Sequence, residues 1–279
     1  MFKIDELLDL FQDEKIRKML AYSYCLSQEK DKELSDSVFK QFLLLKKMNP
    51  NINVILDLTK EKSCFRCNEN TIYMNNLSAV TFFHELTHLL SYNYSMFQIP
   101  YEYYFLKENF LADPSNKSNI MLILDLCKSK REELVQSLKN RILDRYKNIT
   151  INEMDIFYQE PYDYQYDLIG NIEDIIDALY DGRSHSYGLV NITDINEIAI
   201  KAQKTSGHGC EYFSEKSFQF EEILAEYQTI KLIDPKNEIF FLLKKLLGTE
   251  FISFLEHRSN EICGKTPKIE FNNNISKKK

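Results

Sequence analysis

The chain has 279 residues, of which 44% are hydrophobic and 28% are charged, and its formal net charge is −7. This composition is typical of a globular protein, and the negative charge argues against a general surface for nucleic acid or anionic membranes. Seven glycines and six prolines are few for this length, which favours a helix-rich α+β fold over an all-β sandwich. No stretch approaches the roughly eighteen uninterrupted apolar residues of a membrane-spanning helix, so we expect no membrane span.

The N-terminus carries acidic residues where a secretory signal would have a basic region and an apolar stretch. Six scattered cysteines form no dense framework, which suits reduced thiols. We therefore expect a cytoplasmic protein, with delivery as an effector as the alternative. Cys64 and Cys67 form a Cys-x-x-Cys pair without a second pair, so packing across a hairpin is favoured over a four-cysteine zinc site.

Apolar periodicity predicts an N-terminal helical layer over residues 1–47. A β-branched, alternating segment at 52–57 predicts a strand, and the segment at 64–74 predicts a hairpin. Ser78 is a suitable N-cap for the helix that follows. A helical insertion lobe is predicted over residues 101–165.

Three further helical segments are predicted at residues 172–179, 217–233 and 237–258. The first is short and is ended by Asp181-Gly182. With no internal repeat and no obvious linker, residues 1–263 are predicted to form a single domain. Residues 264–279 are predicted to be a flexible basic tail.

The segment at 81–90 contains His-Glu-x-x-His inside an apolar helical run. On a helix, His84 and His88 lie one turn apart on the same face, which is the arrangement of a metal-chelating pair. Glu85 lies about 100° round the helix from His84, where a carboxylate can take a proton from water at a zinc ion. The flanking apolar residues predict a buried helix, so the imidazoles need a metal or other partners.

A catalytic zinc site needs a third protein ligand. The pattern His-Glu-x-x-His-x-x-Gly-x-x-His fails, because Ser91 and Tyr94 occupy the positions of its glycine and third histidine. Glu222 and Glu226 lie on one face of the 217–233 helix, next to the small side chain of Ala225. We predict Glu222 as the third ligand and Glu226 as the acceptor that fixes the tautomer of a ligating histidine. The alternative is that these acids form a solvated helix face.

The pairing of His84-Glu-x-x-His88 with a downstream glutamate helix resembles the gluzincin arrangement of thermolysin-like metallopeptidases. A closer likeness, which runs from Ile172 to about Tyr227 and includes Gly182, is to the zincin-like domains of phage head-morphogenesis and mobile-element proteins. It rests on Asp174-Ile-Ile-Asp177-Ala178, Gly207-His208-Gly209, Tyr212-Phe213 and Glu222-Ile-Leu-Ala225-Glu226. In that family the last segment is usually Glu-Ile-Phe-Ala-Asn, so Leu224 and Glu226 depart from it.

The resemblance implies a zincin-like metallopeptidase fold with a small β-sheet beside the His84 helix, a Zn²⁺ cofactor and a protein or peptide substrate. It also implies that His208 or Tyr212 stabilises the oxyanion, although both could merely shape their loop. His185 and His257 are interpreted as ordinary histidines. Two alternative functions are a zinc-stabilised, non-catalytic interaction module of a phage or mobile element, and a toxin or effector protease.

Overall fold

A computed structural model describes residues 2–60, 62–94, 101–145, 164–182, 210–213 and 215–264. Its helices are α1 (Ile4–Leu8), α2 (Glu14–Lys30), α3 (Lys32–Met48), α4 (Ala79–Asn93), α5 (Tyr101–Ala112), α6 (Pro114–Arg145), α7 (Tyr164–Leu179), α8 (Cys210–Phe213), α9 (Lys216–Ile233) and α10 (Glu238–Ile262). Its strands are β1 (Asn53–Leu56), β2 (Cys64–Arg66) and β3 (Thr71–Met74). This helix-rich architecture with one small sheet confirms the α+β expectation.

The N-terminal helices support α4 through an aromatic cluster. Phe39 on α3 meets Phe83 edge-on with ring centroids 5.9 Å apart, and Phe42 meets Phe82 at 6.2 Å. All four rings are fully buried, and such pairs contribute beyond their buried area. One side of α4 is therefore anchored in the core.

The sheet lies on another side of α4 and has the order β1-β3-β2. Strand β3 is central, parallel to β1 and antiparallel to β2, so the predicted strand and hairpin are both present. From β3 the chain enters α4 at Ser78, whose hydroxyl accepts the Thr81 N–H at 3.3 Å. The predicted N-cap is confirmed, and it fixes where α4 begins.

Helix α9 runs through the centre of the molecule. All residues from Gln219 to Ile233 are buried except Lys231, and the helix packs mainly against α4 and α7. A helix buried all round must satisfy its polar side chains inside the protein. Its acidic residues therefore need partners on neighbouring helices.

Two predicted helix boundaries are wrong. Helix α7 begins at Tyr164 rather than at 172, because Leu168 and Ile169 add buried positions that continue its apolar face. Helix α10 runs on to Ile262 through a kink at Gly248, where φ is +82°. Glycine adopts this left-handed conformation without the usual steric cost.

The first part of the predicted insertion lobe, residues 101–145, packs into the same core as the rest of the described chain through residues such as Tyr103 and Cys127. Its remainder at 146–163 and the tail at 265–279 lie outside the described residues. Within the described ranges, no helix combines the length and the apolar character needed to cross a membrane.

Candidate metal centre

His84, His88 and Glu222 converge between α4 and α9. The Nε2 atoms of the two histidines are 3.1 Å apart. Glu222 places Oε2 3.3 Å from His84 Nε2 and Oε1 3.5 Å from His88 Nε2. Among the described residues, this is the group whose ligand atoms lie close enough together, within 4.8 Å, to hold a metal ion.

These separations fit a tetrahedral zinc site. Zinc bonds of about 2.0–2.2 Å to nitrogen and oxygen place tetrahedral donors roughly 3.3 Å apart. The Nε2 atoms lie 3.1 Å apart, and each lies at a similar distance from a Glu222 oxygen: His84 Nε2 is 3.3 Å from Oε2, and His88 Nε2 is 3.5 Å from Oε1. Two imidazole nitrogens and a carboxylate oxygen are also a donor set that Zn²⁺ accepts.

The centre lies between two packed helices and keeps some exposure on one side. Helix α9 packs against α4, and the small side chain of Ala225 on α9 is fully buried. The side chains of His84 and His88 retain 13% and 17% exposure, whereas that of Glu222 retains 2%. An incoming molecule would therefore reach the centre from the histidine side.

Glu226 contacts the opposite edge of the His84 ring. Its Oε1 lies 3.1 Å from His84 Nδ1, an arrangement that directs the Nε2 lone pair toward Glu222 and His88. Glu221, Glu222 and Glu226 are 8%, 1% and 3% exposed, so the interpretation of these acids as a solvated face is wrong. Their partners come from α4, which the helix pattern alone could not reveal.

The carboxylates give the centre an excess of negative charge. Burial lowers the pKa of His84, but Glu226 and Glu222 outweigh burial and raise that pKa well above 6.5. Burial raises the pKa of Glu226, and the half-buried Asp174 on α7 adds to the shift. A divalent cation would compensate this charge without requiring protons on the histidines.

Tyr212 lies on α8 and reaches the centre through its hydroxyl, which donates to Glu222 Oε1 at 2.5 Å. Burial and the charge of Glu222 raise the pKa of Tyr212 above its usual value, so the hydroxyl keeps its proton at neutral pH. Its ring stacks on Phe218 with centroids 4.8 Å apart. The family resemblance implied Tyr212 as an alternative to His208 for stabilising the oxyanion, a role that stays a prediction; in the structure the Tyr212 hydroxyl contacts Glu222.

Among the described residues, His257 is the one further histidine, and it does not join this group. His208 and His185 lie outside the described residues. His257 is half-exposed on α10 and pairs with Glu261 at 3.3 Å. Cys64 is half-buried and Cys67 is exposed, both are free thiols, and neither belongs to the group of His84, His88 and Glu222 that could hold a metal ion.

Glu85 contacts the sheet through one of its two carboxylate oxygens. Its side chain is buried, and Oε2 accepts the backbone N–H of Phe65 on β2 at 2.6 Å. Glu85 also helps to raise the pKa of His88 and that of Tyr212, so its charge is felt at the centre. This hydrogen bond gives Glu85 a structural role. The presence of a glutamate at position 85 therefore does not by itself distinguish a catalytic site from a structural one.

Three contacts were not predicted from the sequence: that of the Phe65 N–H with Glu85, and those of Lys107 and Gln219, which hydrogen-bond to each other at 2.6 Å. The Phe65 contact is made by the backbone, so no side-chain pattern announces it. Lys107 does carry a signal, because it shares a helix face with Tyr103 and Phe110, which are buried. Gln219 lies three residues before Glu222, and its partners lie on α5, on α8 and in the turn after α7.

Comparison with known proteins gives no match: no protein-family model, no curated protein and no solved structure is similar to this chain.

Proposed function

We propose that this protein is a zinc-dependent metallopeptidase with a zincin-like fold, which hydrolyses a peptide bond in a protein or peptide substrate. The observation that supports this proposal most strongly is the convergence of His84, His88 and Glu222, whose ligand atoms lie within 4.8 Å of one another. Glu85 supplies a carboxylate on the same helix, one residue after the first histidine. A His-His-Glu donor set leaves a fourth position open, as a catalytic zinc requires.

A bound Zn²⁺ would supply a Lewis acid that polarises the scissile carbonyl and lowers the pKa of water. Glu85 would accept the proton of the attacking water and deliver it to the leaving amine. Because the Phe65 N–H occupies Oε2, we assign this proton transfer to Oε1. Glu226 would hold the His84 ring, and Tyr212 would hold the Glu222 carboxylate, in the orientations that bind the ion.

A zinc-stabilised interaction module without turnover is the second candidate. The observation that favours it is the hydrogen bond from Phe65 to Glu85. That bond joins α4 to the sheet, and it accounts for a buried glutamate at this position without any catalysis. The two candidates predict the same zinc content and differ in whether Glu85 is needed as a base.

The test compares two substitutions of Glu85 in digestion of a proteome-derived peptide library, with new termini read by mass spectrometry. Glu85→Gln keeps an oxygen that can accept the Phe65 N–H, and Glu85→Ala removes it. We expect Glu85→Gln to keep the zinc and the melting temperature of the wild type while losing cleavage by about 10²- to 10⁴-fold. Glu85→Ala should lose cleavage and also melt at a lower temperature.

The exposed hairpin acid Glu69, changed to Gln, serves as the matched control and should cleave as the wild type does. If the wild type binds zinc and cleaves nothing that Glu85→Gln does not also cleave, the peptidase proposal fails. The non-catalytic module would then be the better description.

A further inference from the structure

A buried polar network lies at the first turn of α9. Lys107 on α5 is only 7% exposed. Its ammonium donates to Gln219 Oε1 at 2.6 Å, to Asp181 Oδ1 at 2.7 Å and to the Ala178 carbonyl at 3.3 Å. Three elements, α5, the turn after α7 and α9, therefore meet at one cation.

Gln219 extends the network to a fourth element. Its Nε2 donates to Asp181 Oδ1 at 2.8 Å and to the Phe213 carbonyl at 2.5 Å. Phe213 is the last residue of α8, which has four residues and is too short to be stable on its own. The placement of α8 therefore depends on such tertiary bonds.

A buried polar network is not the most stable way to fill this space. Burying the Lys107 ammonium beside Asp181, whose side chain keeps 32% exposure, removes a positive charge from water, and apolar replacements of such pairs are often neutral or stabilising. Asp181 also adopts a left-handed backbone conformation with φ at +55°, which is uncommon outside glycine although aspartate tolerates it better than most residues. A positional requirement nearby would account for both features.

Tyr212, the residue before Phe213, is a side chain whose position matters, because its hydroxyl donates to Glu222 Oε1 at 2.5 Å. We propose that Lys107, Asp181 and Gln219 are positioning residues that hold α8 so that the Tyr212 hydroxyl stays on Glu222. The role in metal binding that follows rests on the proposed zinc centre. Stacking on Phe218 fixes the plane of the Tyr212 ring, whereas the Gln219 bond fixes the backbone that carries it.

The first experiment follows Tyr212 without any metal. The protein is labelled with 3-fluorotyrosine, and the Tyr212 resonance in the fluorine NMR spectrum is assigned as the one lost in Tyr212→Phe. We expect Gln219→Leu, and separately Lys107→Met, to shift or broaden that resonance. An unchanged resonance in either folded variant would overturn the proposal.

The matched control is Gln228→Leu on the same helix. Gln228 is also fully buried and hydrogen-bonded, to Ser259 of α10 and to Cys263, the residue that follows that helix. Its removal should lower the melting temperature and leave the Tyr212 resonance in place. If Gln228→Leu moves the resonance as much as Gln219→Leu does, the effect is general loosening of α9 and the positioning role is wrong.

The second experiment measures Co²⁺ binding from its visible absorption. Tyr212→Phe and Gln219→Leu should each weaken binding by about tenfold, the usual effect of losing an outer partner of a ligand. The double variant should be no weaker than Tyr212→Phe alone, because both changes remove one interaction. If the losses of Co²⁺ affinity in the two single variants multiply in the double variant, the proposal is overturned. A wild type that binds no Co²⁺ would refute the metal centre, and the NMR experiment would still decide the positioning role.

Discussion

The buried part of α9, from Gln219 to Ile233, has two halves that carry different polar groups. The first half, from Gln219 to Glu226, includes three buried carboxylates, and two of them contact His84 on α4. In the second half the fully buried polar groups are neutral: Gln228 bonds to Ser259, and the Thr229 hydroxyl donates to the Ala225 carbonyl. Neutral, paired groups are sufficient to bury a helix. The acids are confined to the half that faces the histidines, which is what a cation site requires.

The largest effect is expected at the third ligand. Glu222→Ala should weaken zinc binding by more than about 100-fold, because losing an outer partner alone costs 10- to 100-fold. The measurement is zinc content of the purified protein by elemental mass spectrometry, with affinity from competition against a chromophoric chelator. Glu221→Ala is the matched control, since it removes the adjacent buried glutamate that is not in the metal-binding group.

Full zinc retention in Glu222→Ala would break the contrast between the two halves of α9. The third ligand would then have to be sought at His208 or His185.

A smaller effect is expected from Glu226→Ala. This change leaves all three proposed ligands in place but removes the acceptor 3.1 Å from His84 Nδ1. Zinc affinity should fall by about 10- to 100-fold, less than for Glu222→Ala. An affinity equal to that of the wild type in the same competition assay would show that Glu226 does not orient the ring.

The metal-free protein should lose stability as pH rises. The folded-state pKa of His84 is raised above 6.5 by Glu226 and Glu222, so the folded state holds its proton more tightly than the unfolded chain does. This contribution is complete below pH 6.5 and is lost as pH rises through the folded-state pKa. The raised pKa of Glu226 acts in the same direction.

Urea unfolding of chelator-treated protein at several pH values above 6.5 measures this slope, and His84→Leu should reduce it. Zinc should oppose the loss, because metal binding strengthens as protons leave the ligands. A metal-free stability that increases with pH over this window would contradict the charge balance described for the centre.

The smallest effect on metal binding is expected in the second half of α9. Gln228→Leu should leave zinc affinity unchanged and lower the free energy of unfolding by about 1–3 kcal/mol, since the Ser259 hydroxyl loses its buried acceptor. Denaturant unfolding and the chelator assay together check both parts. Weaker zinc binding in this variant would mean that the two halves do not act independently.

The part of the centre on α4 was predictable because it is local. His84 and His88 are one helical turn apart in sequence, and the N-cap Ser78 immediately precedes their helix. Glu222 and Glu226 were predicted from a helical spacing that solvated acids share. Their burial could not be read from the sequence, since it depends on α4 and α7 packing around α9.

Contacts that depend on tertiary packing or on backbone groups escaped prediction. The bond between Glu85 and the Phe65 N–H requires the sheet to lie beside α4, and a backbone donor leaves no pattern in side chains. The network at Lys107 joins residues separated by up to 112 positions along the chain. The early start of α7 was missed because its first turn is rich in tyrosine and polar residues rather than in aliphatic ones.

The central claim is a zinc ion held by two imidazoles and a carboxylate, and zinc K-edge X-ray absorption of the purified protein tests it most directly. The predicted spectrum contains nitrogen and oxygen neighbours at about 2.0–2.2 Å, two of them imidazoles, and no sulfur. His88→Ala should remove one imidazole from that shell. A sulfur shell at about 2.3 Å, as from Cys64 and Cys67, or a spectrum unchanged by His88→Ala, would contradict the proposed centre.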